Sequence, residues 1–134
     1  MSVVVGYISA DRGKAALEAA IEEAKRRDTS LVVVHSFHGG GREAGDDILA
    51  ADEELADIAA RLDAEGIAHS IHDYVRGNDP AHDLVLAARD FDAELIVIGI
   101  RRRTAAGKFL LGSNAHDILM DAECPVLTVK AGSD

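Results

Sequence analysis

Short β-branched runs alternate along this chain with longer segments whose apolar residues recur at helical spacing. The first run, Val3-Val4-Val5, reads as a strand core that ends near Ile8. Over residues 12–27, Ala16, Leu17, Ala20, Ile21 and Ala24 share one helical face. Lys25, Arg26 and Arg27 close that helix, where cations suit the negative end of its dipole. Leu31 to Phe37 is nearly continuous in apolar residues, the pattern of a strand covered on both faces. Residues 38–46 contain Gly39, Gly40, Gly41 and Gly45 and read as a loop. Asp46 or Asp47 is placed to cap a second helix with the stripe Ile48, Leu49, Leu55, Ile58, Ala59 and Leu62, and Gly66 stops it.

The alternation of Ile67, His69, Ile71, Asp73 and Val75 predicts a strand nearer the sheet edge. Asp79-Pro80 supplies a cap and a first-turn proline for a third helix, whose Leu84, Ala87, Ala88 and Phe91 face inward. Leu95 to Gly99 is a fourth strand, buried by its composition. A loop of about thirteen residues then leads to Gly112-Ser113 and a fourth helix through Ala122. Pro125 to Lys130 is the last strand. The order β-α-β-α-β-α-β-α-β demands right-handed crossovers. It predicts one α/β domain over 1–134, a three-layer sandwich with a five-stranded parallel sheet and helices on both faces. There is no internal repeat, low-complexity segment or linker.

Composition narrows the function. Fourteen basic against 24 acidic residues give a net charge of −10, which repels nucleic acid and anionic membranes at long range. The single cysteine, Cys124, excludes an internal disulfide framework. No apolar stretch approaches the ~18 residues of a membrane span, and the first residues lack the basic region of an export signal. These features predict a soluble cytoplasmic domain. One local exception stands out: Leu95 to His116 holds no acidic residue but contains Arg101, Arg102, Arg103 and Lys108.

Ligands of open α/β sheets collect beyond the carboxyl ends of the strands, where strand order reverses. Among the segments there, only the one after Gly99 is unusual. It is long, basic and acid-free, and it ends in Gly112-Ser113-Asn114 at a helix start, whose free N–H groups form an anion site. Ser113 is also placed to cap that helix, and the two roles are compatible. Neither a Walker A motif nor a G-x-G-x-x-G turn is present. His35-x2-His38 and His69-x2-His72 have metal-site spacing, but neither pair converges on a strand and no further ligand completes it, so no metal is expected. His116 lies near the loop and reads as exposed. Cys124, before Pro125, reads as buried rather than reactive. No nucleophile or paired-carboxylate arrangement is legible.

Gly99-x2-Arg102-x9-Gly112-Ser113 resembles the nucleotide loop of the universal stress protein family, written G-x2-G-x9-G-[ST]. The likeness runs through the whole chain, from Val3-Val4-Val5-Gly6 with Ala16-Leu17-Glu18, through Gly77-Asn78-Asp79-Pro80-Ala81 and Leu95-Ile96-Val97-Ile98-Gly99, to Leu110-Leu111-Gly112-Ser113 and Cys124-Pro125-Val126-Leu127. The resemblance implies the strand order 3-2-1-4-5 and homodimers formed through the last strand at Val126, Leu127 and Val129. It also implies binding of an adenine nucleotide, ATP with Mg²⁺. Gly99 and Gly112 would allow close backbone approach to the phosphates, with Ser113 and Asn114 as donors. Gly6, Tyr7, Ile8 and Ser36 would border the base and ribose.

Two departures matter. ATP-binding relatives usually carry an aspartate where this chain has Ile8, so the ribose contact of the pattern is lost. Their second motif glycine is Arg102 here, which resists close phosphate approach but offers a bidentate guanidinium, as Arg101 and Arg103 do. The expectation is a stress-response regulatory domain that holds an adenine nucleotide at the loop after strand four. The alternative is a dimeric interaction module of the same family without nucleotide binding. A slow ATPase would need a water-positioning group that the sequence does not display.

Overall fold

The computed structural model describes residues 1–36, 44–74, 79–101 and 111–131, without the side chains of 36, 44–49 and 101. In chain order they form β1 (Ser2–Tyr7), α1 (Asp11–Arg27), β2 (Ser30–Ser36), α2 (Ala44–Ala64) and β3 (His69–Tyr74). Then follow α3 (Pro80–Asp90), β4 (Ala93–Arg101), α4 (Ser113–Asp121) and β5 (Val126–Ala131). The strands build one parallel sheet in the order β3-β2-β1-β4-β5. This is the order that the family resemblance implies.

Strand periodicity divides the core. Val3, Val5 and Tyr7 of β1 face α1 and α2, whereas Val4 faces α3 and α4. Because β1 is central and covered on both sides, Val3, Val4 and Val5 are all fully buried. Each contributes roughly 1.5–3 kcal/mol relative to an exposed side chain. The β3 residues are instead all half-buried, as the alternating pattern of an edge strand predicts. Gly66 takes φ +71 just after α2, and the Ile67 N–H donates to the Leu62 carbonyl. Asp28 and Asp92 adopt the same left-handed backbone after α1 and α3, at φ 52 and φ 51.

Helix starts differ from the expectation. α2 begins at Ala44, so neither Asp46 nor Asp47 is its cap. Asp79 does occupy the N-cap of α3, but no side-chain cap bond forms; its carbonyl accepts from the Asp83 N–H at 3.0 Å. The N-cap of α4 is Gly112, and Ser113 is the first helical residue. Acidic side chains favour any position of a first turn through the dipole, so they mark the turn rather than its cap. β4 also outruns the Leu95–Gly99 segment at both ends.

Glycine sets how the first turn of α1 docks. A Cβ on Gly13 would lie 1.9 Å from the Ile8 carbonyl oxygen, and one on Gly99 would lie 2.0 Å from that of Arg12. Backbone therefore packs on backbone where β1 and β4 end side by side.

Candidate functional site

A cleft of about 390 Å³ opens above that junction, at the carboxyl ends of the strands where the order reverses. Its volume lies within the range of small-molecule sites, which begins at about 300 Å³. Gly6 and Ile98 line its base. A Cβ on Gly6 would sit 3.1 Å from Leu84 Cδ2, so the glycine makes room for the α3 side chain above it. Val34, Ala81 and Ile118 complete an apolar part. Arg12 and Gly13 line it from α1, and Gly112, Ser113 and Asn114 from the start of α4.

The start of α4 has the chemistry of an anion receptor. No side-chain cap bond forms there and its first turn contains no acidic residue. Ser113 and Asn114 are exposed to solvent. First-turn N–H groups have no partner within a helix, and the dipole adds partial positive charge. His116 is also exposed; its ring lies 3.3 Å from Asp117 Oδ1.

This cleft thus gathers Gly6, Tyr7, Ile8, Gly99, Gly112, Ser113 and Asn114 of the residues expected from sequence. Two of them have other work. The Tyr7 ring packs on the α1 and α2 side of the sheet, and its hydroxyl donates to Glu54 Oε1 at 2.5 Å. Its contribution to the cleft is therefore backbone. Gly99 makes its close approach to the first turn of α1, because the Arg12 carbonyl fills the space of its missing Cβ. Gly112 has nothing within 4 Å of a Cβ. Ser36 and Arg101 end β2 and β4, with side chains outside the described residues, and Arg102 and Arg103 lie outside them altogether.

Sequence reasoning missed Arg12 and a polar row beneath α2. Register aligns Tyr7 with His35 and His35 with Asp73 across three strands. His35 is 6% exposed and its Nδ1 lies 2.9 Å from Asp73 Oδ1, so this histidine pairs with a carboxylate; His38 lies outside the described residues. Burial, and then the hydrogen bond to Glu54, push the Tyr7 hydroxyl far above its usual range. Burial also opposes ionisation of Glu54, but hydrogen bonds from Ser9 and Tyr7 outweigh it and hold the carboxyl below its ordinary value.

His69 and His72 diverge, the first bonding the Ile67 carbonyl and the second Ser70. Among the described residues no group of three His, Cys, Asp or Glu is placed to hold a metal. Burial pushes the half-buried Cys124 thiol up, away from reactivity. No described helix is long and apolar enough to cross a membrane.

Comparison with known proteins places this geometry. A family model described as the universal stress protein family matches residues 1–130. A universal stress protein of Mycolicibacterium smegmatis is 44% identical over 96% of this chain and 96% of its own. The solved structure of a universal stress protein from Archaeoglobus fulgidus is similar at 40% identity and TM-score 0.81, covering 97% of this chain and 98% of that one. A second structure, of the universal stress protein from Archaeoglobus fulgidus in complex with dAMP, is similar at 37% identity and TM-score 0.75, with the same coverage.

Proposed function

This chain belongs to the universal stress protein family, and we propose that its cleft holds an adenine nucleotide as a regulatory ligand. The observation that carries this reading is the cleft at the strand-order reversal, lined by an uncapped helix start and by apolar side chains. A phosphate suits the first and a planar base the second. The dAMP complex of a relative at 37% identity supports the class of ligand.

In its fuller form the ligand is ATP with Mg²⁺, and Arg101 and Arg102 are the cations that the sequence offers to its outer phosphates. The domain signals in the cytoplasm as a homodimer joined through β5. That strand is an edge of the sheet. Val126 and Val129 pack on opposite faces of it, while Leu127 is 37% exposed.

The test is a thermal melt with Mg-ATP, ADP, AMP and GTP on the wild-type protein and on a Ser113→Ala, Asn114→Ala double variant. Ligand at about 100 times its dissociation constant adds ~2.7 kcal/mol, a shift of several degrees. The double variant keeps its own melting temperature, because neither side chain caps α4, and loses most of the ligand shift. No shift with any adenine nucleotide at millimolar concentration would turn the reading to a dimeric interaction module without nucleotide.

A further inference from the structure

Glu54 is half-buried on α2, beside the inward stripe of Ala51, Leu55, Ile58 and Leu62. A carboxylate in such a place loses part of its hydration and must meet donors that replace it. Two hydroxyls do so, both from the end of β1 and the turn that follows. The Tyr7 hydroxyl donates to Glu54 Oε1 at 2.5 Å, and the Ser9 hydroxyl donates to the same carboxylate. Lys14 of α1 adds a favourable charge.

Between Tyr7 and Ser9 stands Ile8, which lines the cleft. Its turn is held from two sides. From α1, the backbone of Gly13 packs against the Ile8 carbonyl, which also accepts from the Ala10 N–H at 2.9 Å. From α2, the Glu54 carboxylate grips the residues before and after Ile8. Among the described residues, α2 supplies none of the cleft's lining. Its link to the cleft therefore runs through the turn.

Resting on the nucleotide reading above, we propose that Glu54 is a positioning residue for the site, fixing the cleft wall at Ile8 from α2 through the hydroxyls of Tyr7 and Ser9. Coupling of this kind is reciprocal: whatever α2 contributes to nucleotide affinity, the bound nucleotide returns to the docking of α2. Occupancy of the cleft is thereby reported on a helix outside it.

Calorimetry with AMP and hydrogen exchange over residues 50–58 test this on the wild-type protein and on Glu54→Ala, Glu54→Gln, Ser9→Ala and Ile58→Val. Glu54→Ala is expected to bind AMP about tenfold more weakly. Glu54→Gln, whose side-chain carbonyl still accepts a hydrogen bond, recovers part of that loss. Ser9→Ala, at an exposed position that leaves the fold intact, weakens AMP about threefold. Added to Glu54→Ala it does nothing further, because both changes break one contact. Ile58→Val loosens the packing of the same helix without touching the turn, and keeps wild-type affinity. Saturating AMP slows the local opening of residues 50–58 about tenfold in the wild type and leaves it unchanged in Glu54→Ala. Wild-type affinity in Glu54→Ala, an equal loss in Ile58→Val, additive losses in the double variant, or wild-type exchange that AMP leaves unaltered overturns the proposal while leaving nucleotide binding intact. If AMP at millimolar concentration does not bind the wild-type protein, the nucleotide reading falls and takes this inference with it.

Discussion

Replacing Gly99 by alanine separates a packing role for this glycine from a ligand-binding one. The new Cβ would lie 2.0 Å from the Arg12 carbonyl oxygen and 2.6 Å from its carbon. Ordinary contact is about 3.5–4.0 Å, so roughly 1.5 Å of movement is required. Both opposing atoms are backbone, and no rotamer change relieves them: either α1 lifts at its start or β4 bends. Overpacking of this kind costs about 1–3 kcal/mol or more. The loss of freedom in the unfolded chain returns about 0.4–1 kcal/mol. A net loss of about 1–2 kcal/mol follows, or about 4–8 °C in a thermal melt for a chain of this size. Gly112→Ala is the matched control, since nothing lies within 4 Å of its Cβ and its φ is −71. Alanine is a poorer N-cap than glycine by roughly 1 kcal/mol, and the unfolded-chain gain of about 0.4–1 kcal/mol offsets most of it, so the net change should be less than about 0.5 kcal/mol. Both melts are run without ligand, so nucleotide affinity plays no part. A Gly99→Ala protein melting within about 2 °C of wild type, or equal losses at the two glycines, would refute the packing argument.

Two further outcomes concern charge and backbone. Asp28 is exposed, adopts φ 52 and ψ 52 at the end of α1, and carries its negative charge at the negative end of the dipole. Asp28→Gly should therefore raise stability by about 1 kcal/mol, seen as a melting temperature several degrees higher; a fall contradicts the assignment. Glu54 has its carboxyl held below the ordinary 4.5, because hydrogen bonds from Ser9 and Tyr7 overcome the opposing effect of burial. Its stabilisation is complete above 4.5 and is lost as pH falls through the lower folded-state value. Glu54→Gln should lower stability at pH 7 by about 1 kcal/mol and flatten the acid limb of urea melts taken down to pH 3. Parallel pH profiles for the two proteins would remove Glu54 as the source of that limb.

Element order and the covered faces were legible because periodicity reports burial directly. Val3-Val4-Val5 and Leu95-Ile96-Val97-Ile98 are apolar at every position because both sides of those strands are covered. Caps were not legible in the same way. Ser113 and Asp46 are residue types that cap well, yet whether their side chains do so depends on backbone turns that composition does not encode. The cleft was half legible. Gly112, Ser113 and Asn114 stood out through the motif, whereas the obligation on Gly99 arises from a helix 80-odd positions away in sequence, a distance no local pattern spans. Tyr7, His35 and Asp73 form a row only through strand register. Arg12 did carry a signal, a cation placed against the dipole of its own helix.

The central place of β1 has a consequence for synthesis. Its two neighbours are β2 and β4, and the register pairs Val3 with Leu31 on one side and with Leu95 on the other. On a ribosome adding about 5–20 residues per second, the second partner emerges several seconds after the first. During that interval the central strand, with its fully buried Val3, Val4 and Val5, has one flank of unpaired N–H and C=O groups, open to any other chain nearby. The nascent protein is thus most exposed to mispairing midway through translation, and the arrival of β4, more than that of any other element, ends the risk.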